Sequence, residues 1–214
     1  MFFIQIIIFF IFHFLPYPWL QKTLKKQLEH EDYKFSPLFS GRVALLVLAR
    51  KILENADSNQ ALLPDYACNV LHRAFTLAGW EIITYSTDKL LEPSWDEIIE
   101  IIEKENIGVL VGASIFGSSG LFKDLAIKEH IRQLQEKKVE IVLDIAQDIR
   151  LRHKMPDLFY SKSIHYVLSF NDKSFFGAMG GGILSTKFTF DEGRKLTSKE
   201  NLGLYQHIYR KTVK

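Results

Sequence analysis

The chain has 214 residues, 47% of them hydrophobic, so it can bury a sizeable core and does not have the composition of a disordered chain. Its 27 basic and 25 acidic residues leave a net charge of +2 without a basic stripe, which argues against nucleic acid as the main partner. A single cysteine, Cys68, excludes an internal disulfide framework and a cysteine-built zinc site and fits a reducing compartment, with the cytosol as the default.

Residues 1–20 form an apolar segment without Asp, Glu, Lys or Arg. The apolar run ends at Pro16, short of the roughly 20 residues of a membrane-spanning helix. Lys22, Lys25 and Lys26 follow, which is compatible with a short membrane anchor whose basic flank lies inside the cell. The alternatives are an apolar helix packed on the domain or at a subunit interface, or an unnatural start to the chain. We therefore predict a cytoplasmic protein, with membrane contact through residues 1–20 left open.

From about residue 40 onward, helical periodicity alternates with short β-branched runs. The pattern predicts helices over 41–55, 66–78, 94–104, 122–137 and 198–211. It predicts strands over 61–64, 80–85, 107–111, 139–144, 165–170 and 182–185. Ser40 and Ser94 are the expected helix caps, and Gly79 is the expected helix stop. The fold class is therefore an α/β three-layer sandwich with a mostly parallel sheet.

Candidate chemistry lies where such a sheet binds ligands, at the carboxyl ends of its strands. Asp144 closes one predicted strand, and Ser169 lies at the end of another. Gly41 begins a helix whose free amides can hold a phosphate. Lys173 stands just ahead of the glycines at 180–182. We expect these segments to converge on one edge of the sheet. The histidines are scattered without metal-ligand spacing, so we predict no metal site.

Five segments, in chain order, resemble motifs of the DegT/DnrJ type of pyridoxal-phosphate-dependent aminotransferases, many of which act on nucleotide-linked keto sugars. The segments are SGRVAL at 40–45, LPDYAC at 63–68, VGASIFG at 111–117, DIAQ at 144–147, and the stretch 169–182 with its lysine and glycines. The resemblance covers roughly residues 37–190. It implies the large domain of a fold type I enzyme with pyridoxal 5'-phosphate as cofactor.

The resemblance gives four side chains positions at the cofactor ring. Lys173 would form the internal Schiff base and then act as general base or acid, because a lysine amine can both attack the cofactor aldehyde and move a proton. Asp144 would keep the pyridine nitrogen protonated, so that the ring can accept an electron pair. Gln147 would lie near the ring hydroxyl, with Tyr66 or Cys68 near the ring face. Without the resemblance, Asp144 could simply cap a loop and Lys173 could be a solvated side chain.

The same resemblance places the cofactor phosphate at the start of the helix that follows Ser40. Backbone amides and hydroxyls suit a phosphate, and Ser40, Gly41, Arg42 and Ser169 are the residues that would supply them. Arg42 could alternatively be an ordinary exposed helix residue.

The resemblance also sets the predicted domain organisation. Residues 1–20 are an apolar segment, 21–36 a linker, 37–190 the cofactor-binding large domain and 191–214 a C-terminal helical segment, and the small C-terminal domain of the family is missing. The predicted function is transfer of an amino group from an amino acid to a keto or aldehyde acceptor, within a homodimer. The alternative is a truncated, catalytically impaired pseudoenzyme that acts by association.

Overall fold

The structure is a computed structural model that describes residues 26, 28–29, 32–38, 40–115, 127–147, 164–169 and 181–190. The apolar segment 1–20, Lys173, Gly180 and the helix predicted over 198–211 lie outside these residues. Within the described ranges, no helix has both the length and the apolar character needed to cross a bilayer. The predicted domain boundaries stay predictions.

The described part of the chain forms one sheet of seven strands with helices between them. The strands are β1 (Lys34–Leu38), β2 (Gln60–Pro64), β3 (Glu81–Tyr85), β4 (Ile107–Ala113), β5 (Glu140–Asp144), β6 (Ile164–Ser169) and β7 (Gly181–Ser185). The helices are α1 (Gly41–Leu53), α2 (Asn69–Ala78), α3 (Trp95–Lys104) and α4 (Ile127–Glu136). Each lies within or close to a range that the sequence pattern predicts, except β1.

The strand order is β1-β7-β6-β5-β4-β2-β3. Strands β3, β2, β4, β5 and β6 run parallel to one another, whereas β7 is antiparallel to both β6 and β1. Apolar residues of α1 and α2 pack on one face of the sheet, and those of α3 and α4 pack on the other. The predicted three-layer α/β fold with a mostly parallel sheet is therefore confirmed.

Strand β1 is an element that the sequence pattern did not predict, and its first three residues fall in the predicted linker 21–36. It pairs in antiparallel register with β7, for example Phe35 with Leu184. Pro37 suits this position, because an edge strand has one side where a missing amide proton costs no ladder hydrogen bond. The strand is stabilised by a partner far away in sequence, which a local pattern does not reveal.

Helix α2 begins at Asn69, three residues later than the pattern predicts. The side chain of Asp65 explains the difference, because its Oδ1 accepts hydrogen bonds from the amides of Tyr66 at 2.7 Å and Thr87 at 3.1 Å. These bonds tie the preceding turn to the end of β3 instead of extending the helix. The helix ends as predicted at Gly79, which has a φ of 105°.

Candidate functional site

Three strand ends and the start of a helix meet at the carboxyl edge of the parallel strands. Asp144 ends β5, Ser169 ends β6, and Ser169 pairs with Gly181 at the start of β7. A Cβ atom built on Gly181 would lie only 2.4 Å from the backbone nitrogen of Gly41. The start of α1 is therefore pressed directly against this edge.

The first turn of α1 has backbone amides that the helix does not use. Ser40 is the N-cap, and its hydroxyl accepts a hydrogen bond from the Val43 amide at 3.3 Å. The first intrahelical bond runs from the Ala44 amide to the Ser40 carbonyl at 3.0 Å. The amides of Gly41 and Arg42 precede that bond, so they are the donors that a helix N-terminus offers to an anion.

A cleft of about 250 Å³ opens at this place. Its lining includes five of the residues predicted to bind the cofactor: Gly41, Arg42, Asp144, Gln147 and Ser169. Ser40 does not line the cleft but caps the helix that does. Lys173 lies outside the described residues, so the structure brings together the predicted ring and phosphate residues without placing the predicted catalytic lysine.

Asp144 is only partly accessible, and its Oδ1 accepts a hydrogen bond from the Ala146 amide at 3.0 Å. Burial raises the pKa of Asp144 to about 6, and the Ala146 hydrogen bond opposes that rise. Among the described residues, no basic side chain forms an ion pair with it. An enclosed carboxyl group without a cation is ready to accept a positively charged partner.

Arg42 is the cationic side chain of this cleft, and it is half-buried. In the described part of the structure its guanidinium has no hydrogen-bond acceptor and no ion pair, and it does not pair with Asp144. A half-buried guanidinium without a partner suits a carboxylate or phosphate, to which arginine can donate two parallel hydrogen bonds. The cleft therefore combines an acid on β5 with a cation and free amides on α1.

Ser114 has no predicted role, although it lies in one of the five motifs. Ser114 follows β4 directly, is 6% exposed and lines the cleft. Its amide donates to the Asp144 carbonyl at 2.9 Å, which joins the ends of β4 and β5. The strand-end rule that selected Asp144 would also have found Ser114. Of the two ring-face candidates, Cys68 lines the cleft, whereas Tyr66 is 57% exposed and does not.

Two other depressions lie at the opposite, amino edge of the sheet, with volumes of about 460 and about 390 Å³. The first is bordered by Asn59 and Asn106, and the second by Lys138 and Glu140. Ligands of open α/β sheets bind outside the carboxyl ends of the strands, so the cleft at Asp144 is the stronger candidate.

No protein-family model matches the sequence, and no curated protein matches it either. Solved structures do match. NtdA from Bacillus subtilis, with the cofactor PMP bound, aligns with a TM-score of 0.60 at 20% identity over 78% of this chain and 36% of its own. The fold is that of the large domain of fold type I aminotransferases.

Two further structures share this large-domain fold. One is an aromatic-amino-acid aminotransferase from Burkholderia pseudomallei covalently bound to pyridoxal phosphate, with a TM-score of 0.56 at 14% identity over 85% of this chain and 48% of its own. The other is a PLP-bound C-S lyase from Staphylococcus hominis, with a TM-score of 0.55 at 18% identity over 85% of this chain and 46% of its own. The chain thus spans less than half the length of these three proteins. Because an aminotransferase and a lyase share the fold, it does not select the reaction.

Proposed function

We propose that the chain is the pyridoxal-phosphate-binding large domain of an enzyme of the aminotransferase type. The observation that carries the proposal is the cleft in which Asp144 and the free N-terminus of α1 meet. Pyridoxal phosphate has a basic ring nitrogen and a phosphate group, so it needs an acid and an anion site within one small cavity. The likeness to solved cofactor-bound enzymes supports the same proposal.

Asp144 would hold the ring nitrogen. With a pKa of about 6 the carboxyl group is largely ionised at neutral pH, and a protonated nitrogen beside it would lower that pKa. The protonated cofactor supplies an electron sink for a carbanion next to the amino group of the substrate. Gln147 lines the same cleft three residues further along the chain, where its amide could reach a ring substituent.

The start of α1 would hold the phosphate. The amides of Gly41 and Arg42 are unused by the helix, and the hydroxyl of Ser169 lies beside them, since a Cβ on Gly41 would be 3.3 Å from Ser169 Oγ. The guanidinium of Arg42 adds a charge that no described carboxylate neutralises. The hydroxyl of Ser40 keeps its proton free for donation while its oxygen caps the helix.

Lys173 would attach to the cofactor aldehyde and later move the proton at the substrate carbon. Its position four residues after the end of β6 supports this role, because β6 ends in the cleft with Ser169. The transaminase reaction, a nucleotide-linked keto sugar as acceptor and assembly as a homodimer rest on the resemblance to DegT/DnrJ enzymes alone.

The decisive experiment is to mix purified protein with pyridoxal phosphate and record the visible absorbance. We expect the band of a lysine-bound cofactor, and we expect Lys173→Ala to abolish it. The matched control is Lys104→Ala, since this exposed lysine pairs with Glu100 on α3, away from the cleft, and its loss should leave the band intact. A folded sample without the band would reject the cofactor proposal and favour the pseudoenzyme alternative.

A second step tests the reaction type. Amino donors added to the loaded protein should convert the cofactor to its pyridoxamine form, with the loss of the visible band. A band that survives every amino acid tested would reject transamination while leaving the cofactor site in place.

A further inference from the structure

Strands β5, β6 and β7 carry a second polar cluster at the ends opposite the cleft. It consists of Glu140, His165 and Ser185, and both His165 and Ser185 are fully buried. Side chains alternate along a strand, so these residues share a sheet face with the apolar layer that packs beneath α1. That layer is formed by Val142, Val167 and Ile183. The cleft and this cluster are therefore the two ends of one strip of the sheet, about 13 Å apart along the strands at about 3.3 Å per residue.

The hydrogen bonds of the cluster determine where the histidine carries its proton. Nε2 of His165 lies 2.9 Å from Glu140 Oε2, and Nδ1 lies 2.9 Å from Ser185 Oγ. The same Ser185 oxygen accepts the amides of Lys187 at 3.1 Å and Phe188 at 3.0 Å. Its two lone pairs are thus occupied, and the hydroxyl must donate its own proton to Nδ1. In a neutral His165 ring, the proton therefore lies on Nε2 and is donated to Glu140.

The order of acid, histidine and serine matches the connectivity of a hydrolytic triad, but it does not have that function here. Ser185 is 0% exposed, so no substrate can reach its hydroxyl. Its oxygen also has no free lone pair for attack, because two backbone amides already use both. The cluster instead connects three neighbouring strands with the turn that follows β7.

We propose that His165 is a proton-sensitive latch that holds the 185–188 turn closed when neutral and opens it when protonated. A second proton, on Nδ1, would point at an oxygen whose lone pairs are already filled. Ser185 would then have to release at least one of the two amides that it holds, and both belong to the turn. Among the described residues, Ser185 is the only hydrogen-bond partner of Nδ1, and the imidazole is fully buried beneath the Phe188 ring, 5.2 Å between ring centroids.

The charged groups around His165 are paired or exposed, so the group whose protonation would change the turn is Nδ1. From β5, Glu140 faces Nε2. Its burial raises its pKa, but hydrogen bonds and electrostatic attraction from His165 and Lys187 together outweigh that effect and hold the pKa below its usual value. Lys187, after β7, binds the other oxygen of the same carboxylate. Outside them, Asp57 and Lys138 pair with each other at 3.2 Å and are strongly exposed. On the α1 side the neighbouring side chains are apolar.

The expected pH dependence of turn opening follows from the linkage between opening and proton binding. A solvated histidine has a pKa of about 6.5, so if only the opened turn accepts the proton, the opening constant rises about tenfold from about pH 7.5 to about pH 5.5. Hydrogen exchange of the Lys187 and Phe188 amides reports this constant directly, because both amides lose their acceptor on opening.

The test compares the protection of these two amides at the two pH values by NMR, after correction for intrinsic exchange. Asp144→Asn is the background in every arm, because Asp144 also titrates in this window. We expect protection to fall about tenfold with His165 present and to stay constant in His165→Gln. Equal protection at both pH values with His165 present, or the same fall in the glutamine variant, would overturn the latch.

A second measurement needs no substitution at His165. The ¹⁵N shifts of its imidazole should show a neutral ring protonated on Nε2 at about pH 7.5, which is the tautomer that Ser185 imposes. A ring protonated on Nδ1, or a cationic ring while the Lys187 and Phe188 amides stay protected, would refute the proposal even if the glutamine variant fails to fold.

Discussion

At the residue scale, the burial of Asp144 in the cleft costs the folded protein stability. Its carboxyl group has a pKa of about 6, against 3.8 for an ordinary aspartate, because burial disfavours the charged form. An acid whose pKa is raised by folding destabilises the native state progressively as the pH rises from about 4 through about 6, and fully above that range. The difference corresponds to about 3 kcal/mol at neutral pH.

Asp144→Asn should therefore stabilise the cofactor-free protein at about pH 7.5 by up to about 3 kcal/mol, because it removes a buried charge. The asparagine Oδ1 can still accept the Ala146 amide, so the local structure is kept. Urea unfolding measures the gain, which should fall to about 1 kcal/mol at about pH 4.5. The same variant should bind pyridoxal phosphate more weakly.

The control for this prediction is Asp57→Asn, since the Asp57 side chain is 79% exposed. Its change in unfolding free energy should stay within about 0.5 kcal/mol at both pH values. Equal stability of wild type and Asp144→Asn at the higher pH would show that the carboxyl group is better solvated or paired than its surroundings indicate.

The residues of the cleft illustrate what a sequence can reveal at this scale. The rule that ligands bind at carboxyl strand ends, together with the motif resemblance, was enough to select Asp144, Ser169 and Gly41. The same rule points to Ser114, which follows β4 but was given no role. It could not separate Cys68 from Tyr66, because which side chains line a cleft depends on how distant strands and helices are packed.

At the element scale, local signals were reliable where the interaction itself is local. The hydroxyls of Ser40 and Ser94 accept amides three residues ahead, and Gly79 ends α2 in a left-handed conformation. The element that the pattern did not predict, β1, depends on pairing with β7 about 150 residues away. The predicted first turn of α2, at 66–68, is also wrong because of a distant contact: the Asp65 side chain accepts a hydrogen bond from Thr87, which lies beyond the next strand.

The contact between α1 and β7 gives an element-scale prediction. In Gly181→Ala the new methyl group would lie 2.4 Å from the Gly41 nitrogen and 2.6 Å from the Leu168 carbonyl oxygen. Both are backbone atoms held by secondary structure, so we expect a loss of about 3 kcal/mol of unfolding free energy, the upper end for overpacking. Gly41→Ala should lose less, because its nearest neighbour is the Ser169 Cβ at 2.9 Å.

Chemical denaturation of the two variants checks whether Gly181→Ala loses more unfolding free energy than Gly41→Ala. Cofactor binding should fall in Gly181→Ala even under conditions where the variant is folded, since the α1 N-terminus must move away from Ser169. A Gly181→Ala protein as stable as the wild type would show that α1 and β7 do not approach this closely.

At the scale of the whole molecule, the sheet places its two polar sites at opposite ends of the same three strands. The alternating pattern of strands and helices was sufficient for the fold class, because parallel strands need crossover helices. It could not give the strand order, in which β7 turns back between β6 and β1, since that order depends on pairings distant in sequence. That reversal brings Gly181 beside Ser169 and Ser185 beside His165.

A thermal-shift measurement tests the cofactor site on the whole protein. A ligand at one hundred times its Kd that binds only the folded state adds about 2.7 kcal/mol of stability. For a chain of this size we expect pyridoxal phosphate to raise the Tm by about 5 to 10 °C. Pyridoxal at the same concentration should give a much smaller shift, because it lacks the phosphate that the amides of Gly41 and Arg42 would bind. Equal shifts with the two compounds would mean that α1 does not hold the phosphate, and no shift with either would mean that the cleft does not bind this cofactor.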